Sequence, residues 1–334
     1  MRILLTGGTG YIGSHTAVEL IEQGYEVDIL DNLCNSQVDV LDKIKKITGV
    51  RPVFHKVDLL DKKGVAKVLR RGRYDVVMHF AGLKAVAESV REPLLYYENN
   101  VTGTINLLGA MERYGVKSII FSSSATVYGD HNGSKLTEDM QTGVGITNPY
   151  GQTKYDIEQI LKDLVIADSK FGVVILRYFN PIGAHASGLI GENPKDTPNN
   201  LMPIIMRVSV GEIPELSIYG DDYDTPDGTG MRDFIHVVDL AKGHVAALKK
   251  MKRGLKIYNL GTGRATSVME MVKVFEQESK KKLPYKIVGR RPGDLAKVYA
   301  DPKIAKKELG WEAKLDVKNA VRDTINYLNT ISGA

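Results

Sequence analysis

The stretch that decides the fold is Arg2-Ile3-Leu4-Leu5-Thr6-Gly7-Gly8-Thr9-Gly10-Tyr11-Ile12-Gly13, at the start of a chain of 334 residues. An apolar run typical of a buried strand passes into a glycine turn and then into a helical pattern of apolar residues. Gly7 permits the tight turn, Gly10 lets the backbone approach a pyrophosphate, and Gly13 allows close packing of helix on strand. The spacing G-x-x-G-x-x-G therefore predicts a dinucleotide site, with its phosphates at the helix N-terminus.

An acidic residue follows at the distance that such a site requires. Residues 26–30 are predicted to form a second strand, and Asp31 stands at its end, eighteen residues after Gly13. A carboxylate there binds the ribose diol of an adenosine and repels a 2′-phosphate, which favours NAD over NADP. A bare structural turn would explain the glycines but not the acid or the flanking strand and helix. We therefore predict an NAD site.

Strand and helix patterns alternate through the first half of the chain. Residues 74–80, 117–122 and 173–177 are predicted strands, while residues 94–114 and 149–171 are predicted helices. This alternation is typical of an α/β fold with a doubly wound parallel sheet of the Rossmann type, whose ligands lie at the carboxyl ends of the strands.

The composition changes after residue 180. Pro, Gly, Asn and Asp become frequent up to residue 232, which indicates loops, and a strand-like then helical pattern returns afterwards. We predict an NAD-binding domain over residues 1–180, to which the chain returns around 233–262. A smaller α/β domain that binds the substrate is predicted over residues 181–334.

Composition and charge limit the class of protein. With 43% hydrophobic residues and a net charge of +5, the chain can bury one large core or two modest ones. No apolar run is long enough to span a membrane and the first residues enter a strand, so we expect a cytoplasmic protein with no membrane partner. Cys34 is the only cysteine, the histidines show no metal-ligand spacing, and the lysine clusters are expected to be solvated rather than to bind nucleic acid.

A phenol and an ammonium stand four residues apart at the start of a predicted helix. Asn148 is a suitable N-cap, and the apolar stripe that includes Leu161 runs back through Lys154 and Tyr150, so both side chains are predicted to face the interior. The ammonium and the helix dipole favour a phenolate, so the pKa of Tyr150 is predicted to fall from about 10 and Tyr150 to act as a base. A core tyrosine beside a snorkelling lysine is the structural alternative.

Ser124 follows the strand predicted over residues 117–122 and can bond a substrate hydroxyl or the tyrosine, or simply close a turn. The glycine turn, Ser124 and Tyr150-x-x-x-Lys154, in this order, resemble the extended short-chain dehydrogenase/reductase family. Longer strings resemble the branch of that family that inverts C4 of UDP-hexoses. These strings are residues 31–36, 79–86, 122–129, 176–181, 198–203 and 232–233.

The resemblance implies a tightly held NAD and a UDP-sugar. The residues it implies for NAD are Gly7, Gly10, Tyr11, Ile12, Gly13, Asp31, Asn32, Asn35, Ser36, Asp58, Leu59, Phe80, Ala81, Gly82, Lys84, Asn99, Tyr150, Lys154 and Phe179. Those it implies for the UDP-sugar are Lys84, Ser124, Thr126, Tyr150, Asn180, Asn200, Leu201, Ser217, Ile218, Tyr219, Arg232, Arg291, Asp294 and Val298. Guanidinium groups suit diphosphate oxygens, although arginines also form surface salt bridges.

The same resemblance implies a reaction. Tyr150 removes the proton of the sugar 4-hydroxyl while C4 gives hydride to NAD, Ser124 shares the hydrogen bond, and the 4-keto sugar turns over before hydride returns. UDP-glucose and UDP-galactose are the implied substrates, and a homodimer joined by helices of the first domain is implied. Val298 stands where relatives carry Tyr or Cys, judged by its spacing from Arg291, so we predict room for UDP-N-acetylglucosamine and UDP-N-acetylgalactosamine.

Two alternatives stay open. One is another nucleotide-sugar enzyme of this fold, such as a 4,6-dehydratase or a decarboxylase. Dehydratases of the family carry Asp-Glu after the strand-end hydroxyl residue, where this chain has Ala125-Thr126. The other is a non-catalytic regulator that senses NAD, which would not need the Tyr150 and Lys154 pair.

Overall fold

The computed structural model describes residues 1–195, 198, 200–291 and 293–332. Asn199, in one of the family-like strings, and Ala334, the end of the second predicted domain, lie outside them. The chain divides into two compact units. The first unit comprises residues 1–129, 141–177 and 241–258, and the second comprises residues 130–140, 178–240 and the described residues from 259 onward.

The strands and helices are numbered along the chain. The strands are β1 (Arg2–Thr6), β2 (Glu26–Asp31), β3 (Val53–Lys56), β4 (Val76–His79), β5 (Ser118–Ser124), β6 (Lys135–Leu136), β7 (Gly172–Tyr178), β8 (Asn180–Ile182), β9 (Leu216–Tyr219), β10 (Met231–Arg232), β11 (Phe234–His236), β12 (Gly254–Leu260), β13 (Thr266–Ser267), β14 (Tyr285–Val288) and β15 (Lys297–Ala300). The helices are α1 (Tyr11–Glu22), α2 (Val40–Thr48), α3 (Lys62–Gly72), α4 (Val86–Arg91), α5 (Pro93–Tyr96), α6 (Gly103–Arg113), α7 (Pro149–Ala167), α8 (Leu201–Ser209), α9 (Val237–Lys250), α10 (Val268–Ser279), α11 (Lys303–Leu309) and α12 (Val317–Ser332), with a π-helix at Tyr97–Thr102 and a 3₁₀-helix at Ala125–Tyr128.

A seven-stranded sheet with the order β12-β7-β5-β4-β1-β2-β3 forms the centre of the first unit. The pairs that join β3, β2, β1, β4 and β5 are parallel. Strand residues such as Leu4, Val77 and Ile119 share one buried cluster with helix residues such as Leu107 and Ile157. This confirms the predicted doubly wound α/β sheet. The strand order reverses between β1 and β4, which is where such sheets bind their ligands.

One predicted helix is broken in the structure. The helix expected over residues 94–114 consists of α5, the π-helix and α6, which ends at Arg113. Asn100 lies in the π-helix and is buried, where its side chain bonds Leu83 and Thr153. π-helices are rare and frequently occur at functional sites. Here the π-helix accompanies tertiary contacts of Asn100, which the spacing of apolar residues in the sequence does not reveal.

The second unit contains three smaller sheets. Their orders are β13-β10-β15-β6, β11-β8 and β14-β9. A buried apolar cluster that includes Met202, Phe234, Met271 and Phe275 forms its core. In the described part of the chain, no helix combines the length and the apolar character that crossing a bilayer requires.

Candidate functional site

The glycine turn between β1 and α1 leaves room where a dinucleotide would need it. Gly7 has φ +69, and a Cβ there would lie 2.6 Å from the backbone nitrogen of Ala81. A Cβ on Gly13 would lie 2.5 Å from the Gly7 carbonyl oxygen, so neither glycine tolerates a side chain. A Cβ on Gly10 would meet only the Gly7 oxygen, at 3.2 Å, so the helix N-terminus is open on that side. No side chain caps α1, which leaves its first N–H groups suited to phosphate oxygens.

Asp31 closes the adjacent end of β2 and is almost fully buried. Its carboxylate accepts hydrogen bonds from the backbone nitrogens of Thr9 (3.2 Å) and Leu33 (2.8 Å), and from the Ser36 hydroxyl (3.3 Å). These bonds fix the carboxylate beside the glycine turn, and its remaining lone pairs can accept ribose hydroxyls. The geometry of the turn, the helix N-terminus and the acid therefore fits NAD.

Other residues predicted to contact NAD also lie in the first unit. The Asn32 amide donates to the Asp58 carboxylate at 2.8 Å, and the Leu60 nitrogen donates to its other oxygen. Leu59 is buried, whereas Tyr11, Ile12 and Asn35 are half-buried.

The loop after β4 is held by a residue that the sequence did not single out. The nitrogens of Phe80 and Ala81 donate to the Thr6 carbonyl, which joins the loop to β1. Asn100 accepts from the Leu83 nitrogen at 2.8 Å and from the Asn99 amide at 2.9 Å. It also donates to the Thr153 hydroxyl of α7 at 3.0 Å. Asn100 therefore ties the loop that carries Gly82 and Lys84 to the helix that carries Tyr150.

Tyr150 and Lys154 lie in the first two turns of α7, as predicted. The Asn148 side chain caps the helix by accepting from the Gly151 nitrogen at 2.9 Å. Lys154 is 5% exposed, and its ammonium donates to the Ser122 carbonyl at 2.8 Å. The ammonium lies 4.8 Å from the centroid of the Phe121 ring and 6.0 Å from that of the Tyr150 ring. The apolar stripe thus carries a buried cation next to the phenol.

The predicted direction of the Tyr150 pKa is wrong. Burial raises this pKa above its ordinary value, and a hydrogen bond from Ser124 and the charge of Lys84 oppose the rise without cancelling it. The prediction gave the main role to the ammonium of Lys154, but the burial of the phenol outweighs the favourable groups around it. Burial also lowers the pKa of Lys154 itself, to about 8.

Ser124 ends β5 beside the tyrosine. Its oxygen accepts from the Thr126 hydroxyl at 3.0 Å and from the Thr126 nitrogen at 3.2 Å. Because those bonds occupy the acceptor side, the Ser124 proton is available to donate to Tyr150. The structure therefore brings Ser124, Thr126, Tyr150 and Lys154 together.

A charged cluster of the second unit gathers four predicted substrate residues. The Arg291 guanidinium forms two bonds to the Asp294 carboxylate, at 2.9 and 3.0 Å. Arg232 lies 3.6 Å from the same carboxylate and donates to the Leu295 carbonyl at 2.8 Å. The Arg291 guanidinium also stands 5.4 Å from the centroid of the Tyr219 ring. Two guanidiniums share one carboxylate, so the cluster keeps a net positive charge for an anionic ligand.

The remaining predicted substrate residues of the second unit lie on separate elements. Asn180 begins β8, where its nitrogen donates to the Asp233 carbonyl at 3.0 Å. The Asn200 amide donates to Glu192 at 2.7 Å just before α8, whose first residue is Leu201. Val298 pairs in register with Arg232. Ser217 and the buried Ile218 lie on β9, and Phe179, predicted to contact NAD, is 7% exposed.

Sequence reasoning missed four residues that organise these sites, namely Asn100, Glu158, Arg177 and Asp233. Glu158 bonds Arg177 inside the first unit, and the Asp233 carboxylate accepts from Thr262, Gly263 and Ala300 in the second. The available signal for Glu158 was its place on the apolar stripe of α7, four residues after Lys154. Among the described residues, no group of three or more His, Cys, Asp or Glu side chains could hold a metal ion.

A family model and a curated relative match most of the chain. The model of the NAD dependent epimerase/dehydratase family matches residues 3–261. A UDP-glucose 4-epimerase of Bacillus subtilis (strain 168) is 57% identical over 326 residues, which cover 97% of this chain and 96% of the relative.

Solved structures agree with this similarity. The structure of a UDP-glucose 4-epimerase from Bifidobacterium longum in complex with NAD⁺ and UDP matches with a TM-score of 0.96 and 49% identity, and covers 100% of this chain and 99% of that one. A UDP-glucose-4-epimerase from Stenotrophomonas maltophila, with bound NAD and formylated UDP-arabinopyranose, matches with a TM-score of 0.96 and 47% identity over 100% and 99% of the two chains.

Proposed function

The chain belongs to the NAD-dependent epimerase/dehydratase family, and from this premise we propose that Tyr150, Lys154 and Ser124 carry out its reaction. The activity is that of a UDP-hexose 4-epimerase, an isomerase whose cofactor is NAD. The observation that carries the residue assignment is the buried ammonium of Lys154, which is held by the Ser122 carbonyl at 2.8 Å and lies 6.0 Å from the centroid of the Tyr150 ring.

The first unit supplies the groups that would hold NAD. The open N-terminus of α1 would receive the pyrophosphate and Asp31 would receive the adenosine ribose. Lys154 and the loop around Gly82 would lie beside the nicotinamide end. When bound, NAD would supply the acceptor and then the donor of the C4 hydride.

Tyr150 takes the proton from the 4-hydroxyl and later gives it back. Its pKa is raised by burial in the protein alone, so proton transfer depends on the positive charges around it and on the Ser124 hydrogen bond. Lys154 is held by the Ser122 carbonyl and adds its charge from the helix side. Lys84 adds a second positive charge from the loop after β4.

The residues of the second unit anchor the UDP group in this proposal. Arg232 and Arg291 pair with the diphosphate. Because the two guanidiniums share one carboxylate, that of Asp294, they retain N–H donors for the diphosphate oxygens. Asn180, Asn200 with Leu201, and the β9 segment from Ser217 to Tyr219 contact the remainder of the nucleotide sugar. A firm hold on UDP lets the hexose ring turn over without leaving the enzyme.

We further propose that the N-acetyl forms are substrates, that the enzyme is a homodimer, and that it works in the cytoplasm. Val298 supports the first of these, because a valine leaves more space than a tyrosine near the sugar 2-position. The exposed apolar side chains of α4, α5 and α6 support the second, since Val90, Leu94 and Ile105 are each at least half exposed.

Replacement of Tyr150 by Phe tests the catalytic assignment. We expect Y150F to lower kcat on UDP-galactose by about 10² to 10⁴ because the acid-base group is lost. Tyr155→Phe makes the same chemical change on the same helix and is expected to retain the parent rate. Turnover by Y150F at the rate of Y155F would refute the role of Tyr150.

Product analysis distinguishes the alternative activities. Incubation of the purified protein with UDP-galactose and no added NAD should yield UDP-glucose. A dehydratase would give a keto product and a regulator would give none. The 3₁₀-helix after Ser124 begins with Ala125 and Thr126 rather than with two acids, which disfavours elimination of water.

A further inference from the structure

A fully buried ion pair links β7 to α7, the helix that carries Tyr150 and Lys154. Arg177 of β7 binds Glu158 of α7 through two bonds, at 2.6 and 3.0 Å. Their side chains are 2% and 0% exposed. The third guanidinium nitrogen of Arg177 donates to the Tyr128 hydroxyl at 3.1 Å, and the guanidinium stacks 4.8 Å from that ring centroid. A buried pair with this many bonds holds its elements in one arrangement.

The same carboxylate reaches the strand that carries Ser124. The Ser123 hydroxyl donates to Glu158 at 2.6 Å. Consecutive residues of a strand point to opposite faces, so a fixed Ser123 also fixes the direction in which Ser124 points. Glu158 thus connects the strand end to the helix that carries Tyr150.

The cluster also sets the charge beside the phenol. Lys154 precedes Glu158 by one helical turn and is buried, and Glu158 acts on it as a favourable negative charge. Lys154 and Arg177 contribute two positive charges and Glu158 contributes one negative charge. The three side chains therefore carry one net positive charge, and the part of it that lies next to Tyr150 is the Lys154 ammonium, 6.0 Å from the ring centroid.

The other titratable groups near Lys154 do not alter this balance. They are Tyr150 on its own helix and His79 of β4, whose pKa is lowered to about 3 by burial, so that it is neutral. Lys84, from the loop after β4, acts on Tyr150.

We propose that Glu158 is a positioning residue for the epimerisation: held by Arg177, it fixes the strand end that carries Ser124 and balances the charge of Lys154. This inference rests on the proposed roles of Tyr150, Lys154 and Ser124. The competing explanation is that the ion pair only stabilises the fold.

The test measures kcat of the NAD-loaded enzyme on UDP-galactose from about pH 6 to about pH 10. Glu158→Gln removes the anion, so Lys154 loses its proton at lower pH, and the alkaline fall in kcat should move down by about 0.5 to 1 pH unit. Arg177→Lys keeps the charge but loses the paired bonds. R177K should lower Tm as E158Q does, but its kcat should fall at the same alkaline pH as that of the parent.

The proposal would be overturned if the alkaline limb of E158Q coincided with that of the parent. It would also be overturned if R177K shifted its alkaline limb as far as E158Q does, because both results would show a purely structural role.

If E158Q does not fold, Ser123→Ala decides the question, because it removes only the hydrogen bond that links Glu158 to the strand. We expect S123A to lower kcat about 3- to 10-fold and to lower Tm, with its alkaline limb unchanged, and a parent-like kcat would overturn the proposal. Y150F distinguishes the catalytic role of Tyr150 from the positioning role of Glu158. A fully active Y150F would refute the catalytic role. An inactive Y150F, together with Glu158 and Ser123 variants that behave like the parent, would refute only the positioning role.

Discussion

Val298 lies on β15 beside Arg232 of β10, and the two residues pair in parallel register. The Asp233 nitrogen donates to the Val298 carbonyl at 3.0 Å, which fixes the strand on which the side chain stands. The position is therefore well defined relative to a proposed diphosphate ligand. A change of side-chain size there should affect the substrate more than the fold, because the residue is only half-buried.

We predict that Val298→Tyr separates the two substrate classes. A bulky side chain should lower kcat/KM on UDP-N-acetylgalactosamine by about 10- to 100-fold and change that on UDP-galactose little, because only the N-acetyl group needs the space. Val298→Ala is the matched control and should retain both activities. Equal loss on both substrates, or no activity of the parent on the N-acetyl form, would contradict the assignment.

For single residues, the sequence predicted which side chains lie together at the site better than it predicted their pKa values. Tyr150, Lys154 and Ser124 are adjacent in the structure because helix periodicity and strand ends are local properties. The direction of the Tyr150 pKa was wrong because burial depends on the whole first unit. Glu158 and Arg177 were missed because they lie nineteen positions apart on different elements, and charged residues are ordinarily predicted to be solvated.

Among the elements, α7 has the most direct influence on the site. Its N-cap is made by Asn148, whose side-chain oxygen accepts from the Gly151 nitrogen. Pro149 occupies the first turn together with Tyr150. Fraying of this turn would therefore displace the phenol itself.

We predict that Asn148→Ala lowers the free energy of unfolding by about 1 kcal/mol and also lowers kcat. The cap bond holds the turn that carries Tyr150, so stability and rate should fall together. Asn148→Asp keeps an acceptor at the same place and should retain both. Denaturant unfolding and steady-state kinetics measure the two effects, and an N148A variant as stable and as fast as the parent would rule out this role for the cap.

The elements that were predicted well have strong local signals. Asn148 and Pro149 mark the start of α7, and the glycine turn marks the start of α1. The break of the helix over residues 94–114 has no such signal, because the π-helix is accompanied by contacts of Asn100 with Leu83 and Thr153. Elements fixed by their own sequence can be predicted, whereas elements shaped by tertiary contacts need the fold.

For the whole molecule, the sheet order places the glycine turn and the loop after β4 at adjacent strand ends, since β1 pairs with β4. Alternating strand and helix patterns are enough to predict this architecture. They do not predict how residues far apart in sequence share one partner, as Arg232 and Arg291 share Asp294. The second domain was accordingly predicted from its change in composition, whereas its substrate residues were predicted from family resemblance.

The outer face of the first unit exposes apolar side chains on helices that contact one another, namely α4, α5, the π-helix and α6. Val90 is 60% exposed, Leu94 is 81% exposed and Ile105 is 50% exposed. Apolar side chains grouped in this way are costly in water, and a second copy of the chain would cover them. A stable symmetric contact needs about 800 Å² from each partner, an area that several neighbouring helices can supply.

We predict that the double variant Leu94→Glu and Ile105→Glu converts the proposed dimer into a monomer, because buried unpaired carboxylates are strongly unfavourable. Light scattering after size exclusion should show twice the chain mass for the parent and one chain mass for the variant. Val53→Glu, at a comparably exposed apolar position on β3, should remain dimeric. A monomeric parent would contradict the homodimer, and a double variant that stays dimeric would move the interface to another face. Because each proposed catalytic residue lies within one chain, the monomeric variant should retain NAD and measurable turnover.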